Sequence, residues 1–266
     1  MRVGSLLFAV VAMSVAAHAG DPRPIKSAQA ADPKLIKPTV PTALEKQLDA
    51  VLATKDYAEL SRALVKAPPI ERLAWLQSRL YAGKTAFLGY PLLRELWGVV
   101  QMKDPRLADA DTAVGVVALY VYQVHLIDGA ICEDASAPSQ RILQYLTAFR
   151  PIFLSFKGKS AAEKSNIIRL ALQTEQRTRL FRSGDDFLCR GGMGEIKASI
   201  EQLGPGVTAG ELAAKYGEKS KSGIGTDVKL PPAKTYEPKF LPFEKYAPEQ
   251  HKLRMTMVGT LLELLK

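Results

Sequence analysis

His125 and Asp128 stand three residues apart, a spacing that sets them side by side on one face of a helix, with Cys132 one turn further on. A carboxylate that orients an imidazole is a way to build a general base, and Glu133 adds a further carboxyl just beyond. His125, Asp128 and Glu133 are therefore the candidates for hydrolytic acid–base chemistry. The pair also has a structural use. An Asp on an apolar helix must be paired or hydrogen-bonded, so a His125–Asp128 contact, or an ion pair from Asp128 to a base on the returning helix, accounts for both without catalysis. Solvent access decides between the two: a cleft at His125 favours chemistry, closed packing removes it. Glu133 and Asp134 are adjacent, whereas glycoside hydrolysis needs two carboxyls facing each other across roughly 5 to 9.5 Å. Turn or capping duty is expected of them.

A second cluster is Arg190-Gly191-Gly192-Met193-Gly194 ahead of a helical stretch from Glu195 to Leu203. Backbone amides in such a run can face an anion at a helix start, which makes Arg190, Gly191 and Gly192 candidates. The run lacks the spacing and the Lys-Ser/Thr ending of a phosphate loop, so a turn beside a disulfide is expected. Only His125 and His251 lie beyond the first twenty residues, too few for a histidine-rich metal site. No cofactor motif is present, and aromatic residues do not interleave with bases as nucleic-acid modules require.

Compartment follows from the first residues and from the cysteines. Arg2, an apolar run from Leu6 to Ala17, and Ala17-His18-Ala19 before Gly20 form the pattern of a cleaved secretory signal, residues 1–19. The run is too short for a membrane anchor, which takes about 20 apolar residues. Two cysteines, Cys132 and Cys189, read in an exported chain as one disulfide. Export to a periplasm or to the extracellular space is expected. Without Arg2, 35 bases face 27 acids, a balance of +8. Nine bases against two acids, Glu163 and Glu175, lie between Pro138 and Arg182, so this region could draw an anionic partner. Glu175 can pair with Arg179 at i+4, and the bases do not form one stripe, which describes an ordinary solvated surface.

These residues need a scaffold. A chain of 266 residues, 47% hydrophobic and 24% charged, is large enough for a core of one or two domains. Residues 20–40, rich in proline, read as a linker. From 41 to 203 apolar residues recur at helical spacing and no alternating hairpin pattern appears, so the fold class is all-α: an irregular multi-helix bundle. Val114 to Ile131 is apolar nearly all round, the mark of a central helix, and it starts at Asp104-Pro105. Gln123, His125 and Asp128 speak against a membrane span. A helix from Ser136, kinked at Pro151, runs away, and a second from Ser160 to Phe181 returns. Cys189 should thus arrive beside Cys132. Residues 204–247 read as an extended strap with aromatic anchors, and 248–266 as a terminal amphipathic helix docked on the bundle.

Two helical pairs within residues 42–102 resemble tetratricopeptide hairpins, which implies a helical-repeat adaptor, but no 34-residue period aligns. The expected protein is thus an exported, non-enzymatic helical binding or structural protein of the cell envelope, with an anionic component there as its candidate partner. It would have no transmembrane segment in the mature chain, no nucleic-acid partner and no cofactor. A hydrolase and a repeat adaptor are the alternatives.

Overall fold

The computed structural model describes residues 41–103, 109–219, 226–228, 230, 233 and 236–266. The expected signal, the linker and the Asp104-Pro105 helix start lie outside them. The described residues form eleven α-helices and one small hairpin, an all-α bundle.

Local sequence sets the helix starts. The first helix, α1 (Ala43–Ala53), opens on a capping box in which the Thr42 side chain accepts from Glu45 N and the Glu45 side chain accepts from Thr42 N. Asp56 caps α2 (Tyr57–Lys66), and α3 (Pro69–Tyr81) carries proline in its first turn. It stops at Gly83, whose φ of +70° suits a residue without a Cβ. The next helix is α4 (Gly89–Gln101).

At the centre stands α5 (Ala110–Gly129), with 14 of its 20 residues buried. It packs chiefly on α4, α6 (Ser136–Ala148), α8 (Ala161–Thr178) and α11 (Phe243–Leu264). Among the described residues it alone is long and apolar enough to cross a membrane, yet most of its apolar window is covered by the fold. Gly115 lets α8 approach: a Cβ there would sit 3.0 Å from Ile167 and Phe156 atoms. The chain bends at Phe149, two residues before Pro151, and continues as the short α7 (Arg150–Ser155). Ser160 and Glu163 form a second capping box at the start of α8. A 3-10 turn, Arg179–Phe181, ends the return leg. Helices α1 to α4 contribute Leu48, Leu60, Trp75, Leu76 and Leu92 to the same core as α5, rather than stacking apart as a separate array.

Cys132 and Cys189 form a disulfide with Cα atoms 5.2 Å apart, as the two reversals of α6 and α8 require. Beyond it lies α9 (Met193–Gln202). The region expected to be an extended strap differs in part. It holds α10 (Ala209–Tyr216), opened by a Thr208–Glu211 capping box, and an antiparallel pair, β1 (Gly217–Lys219) with β2 (Thr226–Val228). The strap proper, residues 236–241, is bonded across the disulfide. Glu133 N donates to Lys239 O, Leu241 N donates to Ile131 O, and Cys132 bridges to Phe240. The terminal helix begins at Phe243, five residues before the expected Pro248, because Pro242 supplies the extended N-cap and Pro248 sits inside the second turn. Met257, Leu261 and Leu265 dock it on the bundle.

Candidate functional site

His125 is fully buried. Its Nδ1 lies 2.8 Å from Val121 O and its Nε2 lies 3.1 Å from Tyr90 Oη. A carbonyl only accepts, so Nδ1 carries the proton and Nε2 accepts from the Tyr90 hydroxyl. Burial pulls the imidazole pKa down to about 4, against the upward pull of the Val121 carbonyl. The ring stacks on Tyr145 at 5.0 Å and meets the edge of Phe187 at 6.4 Å.

Asp128 is not bonded to His125. Arg182 Nε donates to Asp128 Oδ2 at 2.6 Å, while Arg182 Nη2 donates to Glu175 Oε1 at 2.7 Å. Arg254 adds a second donor to Glu175 at 3.2 Å. Burial raises the Asp128 carboxyl and Arg182 opposes it. His125 and Asp128, neighbours on one helix turn, thus belong to two separate hydrogen-bond networks, and both side chains are buried among the described residues. Glu133 is exposed, and its backbone N–H anchors the strap.

The amides around Gly191 and Gly192 are occupied by the chain itself. Gly191 N donates to Glu195 Oε2 at 2.7 Å, Met193 N to Ser136 Oγ at 2.7 Å, and Gly194 N to Asp134 Oδ2 at 2.7 Å. Arg190 donates to Glu195 Oε1 at 3.0 Å and to Tyr236 O at 2.7 Å. Burial acts upward on Asp134, but its bonds from Ser136 and Gly194 outweigh it and hold the carboxyl below its ordinary pKa. Two internal carboxylates, those of Glu195 and Asp134, take the amides that an external anion would need, in the turn expected beside the disulfide.

A cleft of about 1020 Å³ opens between the α1–α2 turn, α6, the disulfide loop and the strap. Tyr57, Arg141, Arg190, Glu195, Leu230 and Phe240 are among the residues that line it. Lys55 pairs with Asp186 at 2.6 Å and Arg190 with Glu195. Arg141 has no carboxylate within ion-pair distance among the described residues. Its Nε donates to Phe187 O at 2.9 Å, its Nη1 to Gln144 Oε1 at 2.9 Å, and the guanidinium lies 4.5 Å over the Phe187 ring. The Phe187 ring thus touches both Arg141, which lines the cleft, and the buried His125.

Comparison with protein-family models, curated proteins and solved structures finds no match to this chain. Function must therefore be argued from geometry and charge.

The nine bases between Pro138 and Arg182 divide into two sets. Arg141 lines the cleft, Lys159 pairs with Asp111, Lys164 donates to Leu265 O and Arg182 is buried. Arg150, Lys157, Arg169, Arg177 and Arg179 are exposed. Glu175 does not pair with Arg179, because it lies on the buried face of α8 and turns to Arg182 and Arg254. From residue 164 to 184 it is the sole acid. The outward face of α8, with Asn166, Arg169, Gln173 and Arg177 exposed in successive turns, thus carries no carboxylate beyond the capping Glu163 in its first turn. At its end Leu180 and Phe181 stand 83% and 66% exposed. Spacing alone could not show this, since the i+4 rule offered Glu175 to Arg179 and only the core position of Glu175 withdraws it.

Proposed function

We propose that the protein is an exported, non-enzymatic binding protein of the cell envelope, and that its partner is anionic. The observation that carries the reading is the outward face of α8, where Arg169 and Arg177, with Arg179 in the turn beyond, stand exposed while Glu175 is consumed in the core and Glu163 caps the far end of the helix. Such an uncompensated face attracts negative charge over the Debye length. Export is supported by the signal pattern of residues 1–19 and by a disulfide of the kind that persists in oxidising compartments. A binding role is favoured over catalysis by the sealed imidazole of His125 and the engagement of Asp128 by Arg182.

The test is binding of the exported protein to dextran sulfate at about 10 mM and about 150 mM ionic strength, where the Debye length is about 30 and 8 Å. Binding at low salt that weakens at high salt, and that is lost in an Arg169→Glu, Arg177→Glu, Arg179→Glu variant, supports the reading. Absent or salt-insensitive binding overturns it.

A further inference from the structure

We propose that the basic face of α8 ends in a lipid-inserting tip, at which Leu180 and Phe181 enter the apolar zone of an anionic phospholipid surface while Arg177, Arg179 and Lys84 engage its phosphates. The proposal rests on the anionic-partner reading and names the partner. Leu180 and Phe181 are consecutive and among the most exposed large apolar side chains described. A hydrophilic polyanion has no phase to receive them, whereas a bilayer offers anionic headgroups above hydrocarbon.

The tip is rigidly mounted. The turn Arg179–Phe181 is followed at once by Arg182, whose guanidinium is held between Asp128 and Glu175 in the core. On the other side the turn lies against Gly83, where a Cβ would fall 2.6 Å from Phe181 O. That contact brings the exposed Lys84 to the same end of the molecule. Little ordering cost therefore remains on insertion. A second copy of the chain is a poor occupant, since a two-fold contact would set Arg177 and Arg179 against the same residues of the other molecule.

The probes are phosphatidylcholine vesicles with and without phosphatidylglycerol, alongside dextran sulfate. The exported protein should sediment with the phosphatidylglycerol vesicles at low ionic strength and not with phosphatidylcholine alone. A Leu180→Gln, Phe181→Gln variant should lose at least about tenfold in vesicle partitioning, the factor that a single buried apolar side chain already supplies, and should bind dextran sulfate as before. A Phe181→Trp variant should show a blue shift of indole emission with phosphatidylglycerol vesicles. Both positions are exposed, so the variants test binding and not folding. Binding of dextran sulfate without binding of vesicles overturns the lipid assignment and leaves the anionic-partner reading standing, as does unchanged partitioning of the double Gln variant. Binding of neither probe overturns both.

Discussion

Glu175 Oε1 lies 2.7 Å from Arg182 Nη2 and 3.2 Å from Arg254 Nε. One carboxylate thereby joins the end of the return leg to the terminal helix, and with Asp128 it closes a four-residue network of two acids and two bases inside the bundle. The same geometry strips the C-terminal half of α8 of its only counter-charge on the outside. Stability and surface charge here share a cause.

Arg182→Met should be severely destabilising. Its side chain is only 6% exposed and it neutralises Asp128 and Glu175 together. Removing one partner of a buried ion pair costs about 3 to 5 kcal/mol, a Tm drop on the order of 10 °C at this size. Thermal and urea unfolding of the variant check it, and a change within about 1 kcal/mol would show the network to be dispensable.

Two buried groups set opposing pH dependences. His125, held down near 4 by burial, binds its proton in the unfolded chain first, so its contribution is present above about pH 6.5 and is lost as pH falls towards 4, by about 3 kcal/mol. Asp185 accepts bonds from Ala86 N, Thr85 Oγ1 and Phe187 N, yet burial pushes its carboxyl up to about 6. The folded chain then binds that proton first, so this contribution is present below about pH 4 and is lost as pH rises towards 6. The two slopes oppose between pH 4 and 6. Relative to the parent, an Asp185→Asn variant should therefore lose stability towards acid and a His125→Gln variant towards neutrality. Parallel pH profiles for all three would contradict the assignment.

The disulfide closes 57 residues, a loop whose release adds about 4 kcal/mol of unfolded-state entropy. A Cys132→Ala, Cys189→Ala variant should lose stability of that order in denaturant titration. Because Ile131, Cys132 and Glu133 also hold the strap, limited proteolysis of the variant should cut residues 236–241 faster than in the parent.

Gly192→Ala should destabilise by about 1 to 3 kcal/mol through overpacking. A Cβ there would lie 2.4 Å from Asp134 Oδ2 and 2.7 Å from Ala137 N. Urea unfolding measures the cost, and a neutral result would mean that the Asp134 seat is looser than the bonds to Gly194 and Ser136 indicate.

Much of this architecture is legible in the residues. Val114 to Ile131 announces a central helix because no face of it is polar, and Cys132 and Cys189 announce their bond because two roughly equal legs separate them. Other features depend on signals that compete. The Thr208–Glu211 capping box was there to mark α10, but the Gly-Pro-Gly just before it reads as loop. At the terminal helix Pro242 and Pro248 give the same start signal, and only the earlier one is used. The candidate site was least legible. Adjacency on one helix turn could not tell that His125 faces Tyr90 while Asp128 faces Arg182, since partners 35 and 54 residues away decide each orientation.

The strap takes its seat on Ile131, Cys132 and Glu133, beside a crosslink that exists only when the chain has reached Cys189 and folded back. Residues 236–241 thus find their landing place only once Cys132 and its neighbours are set, which makes them a latch. In a molecule of this design, an unoxidised chain would hold its strap less firmly while the terminal helix stays docked, and the strap would be what a protease meets first.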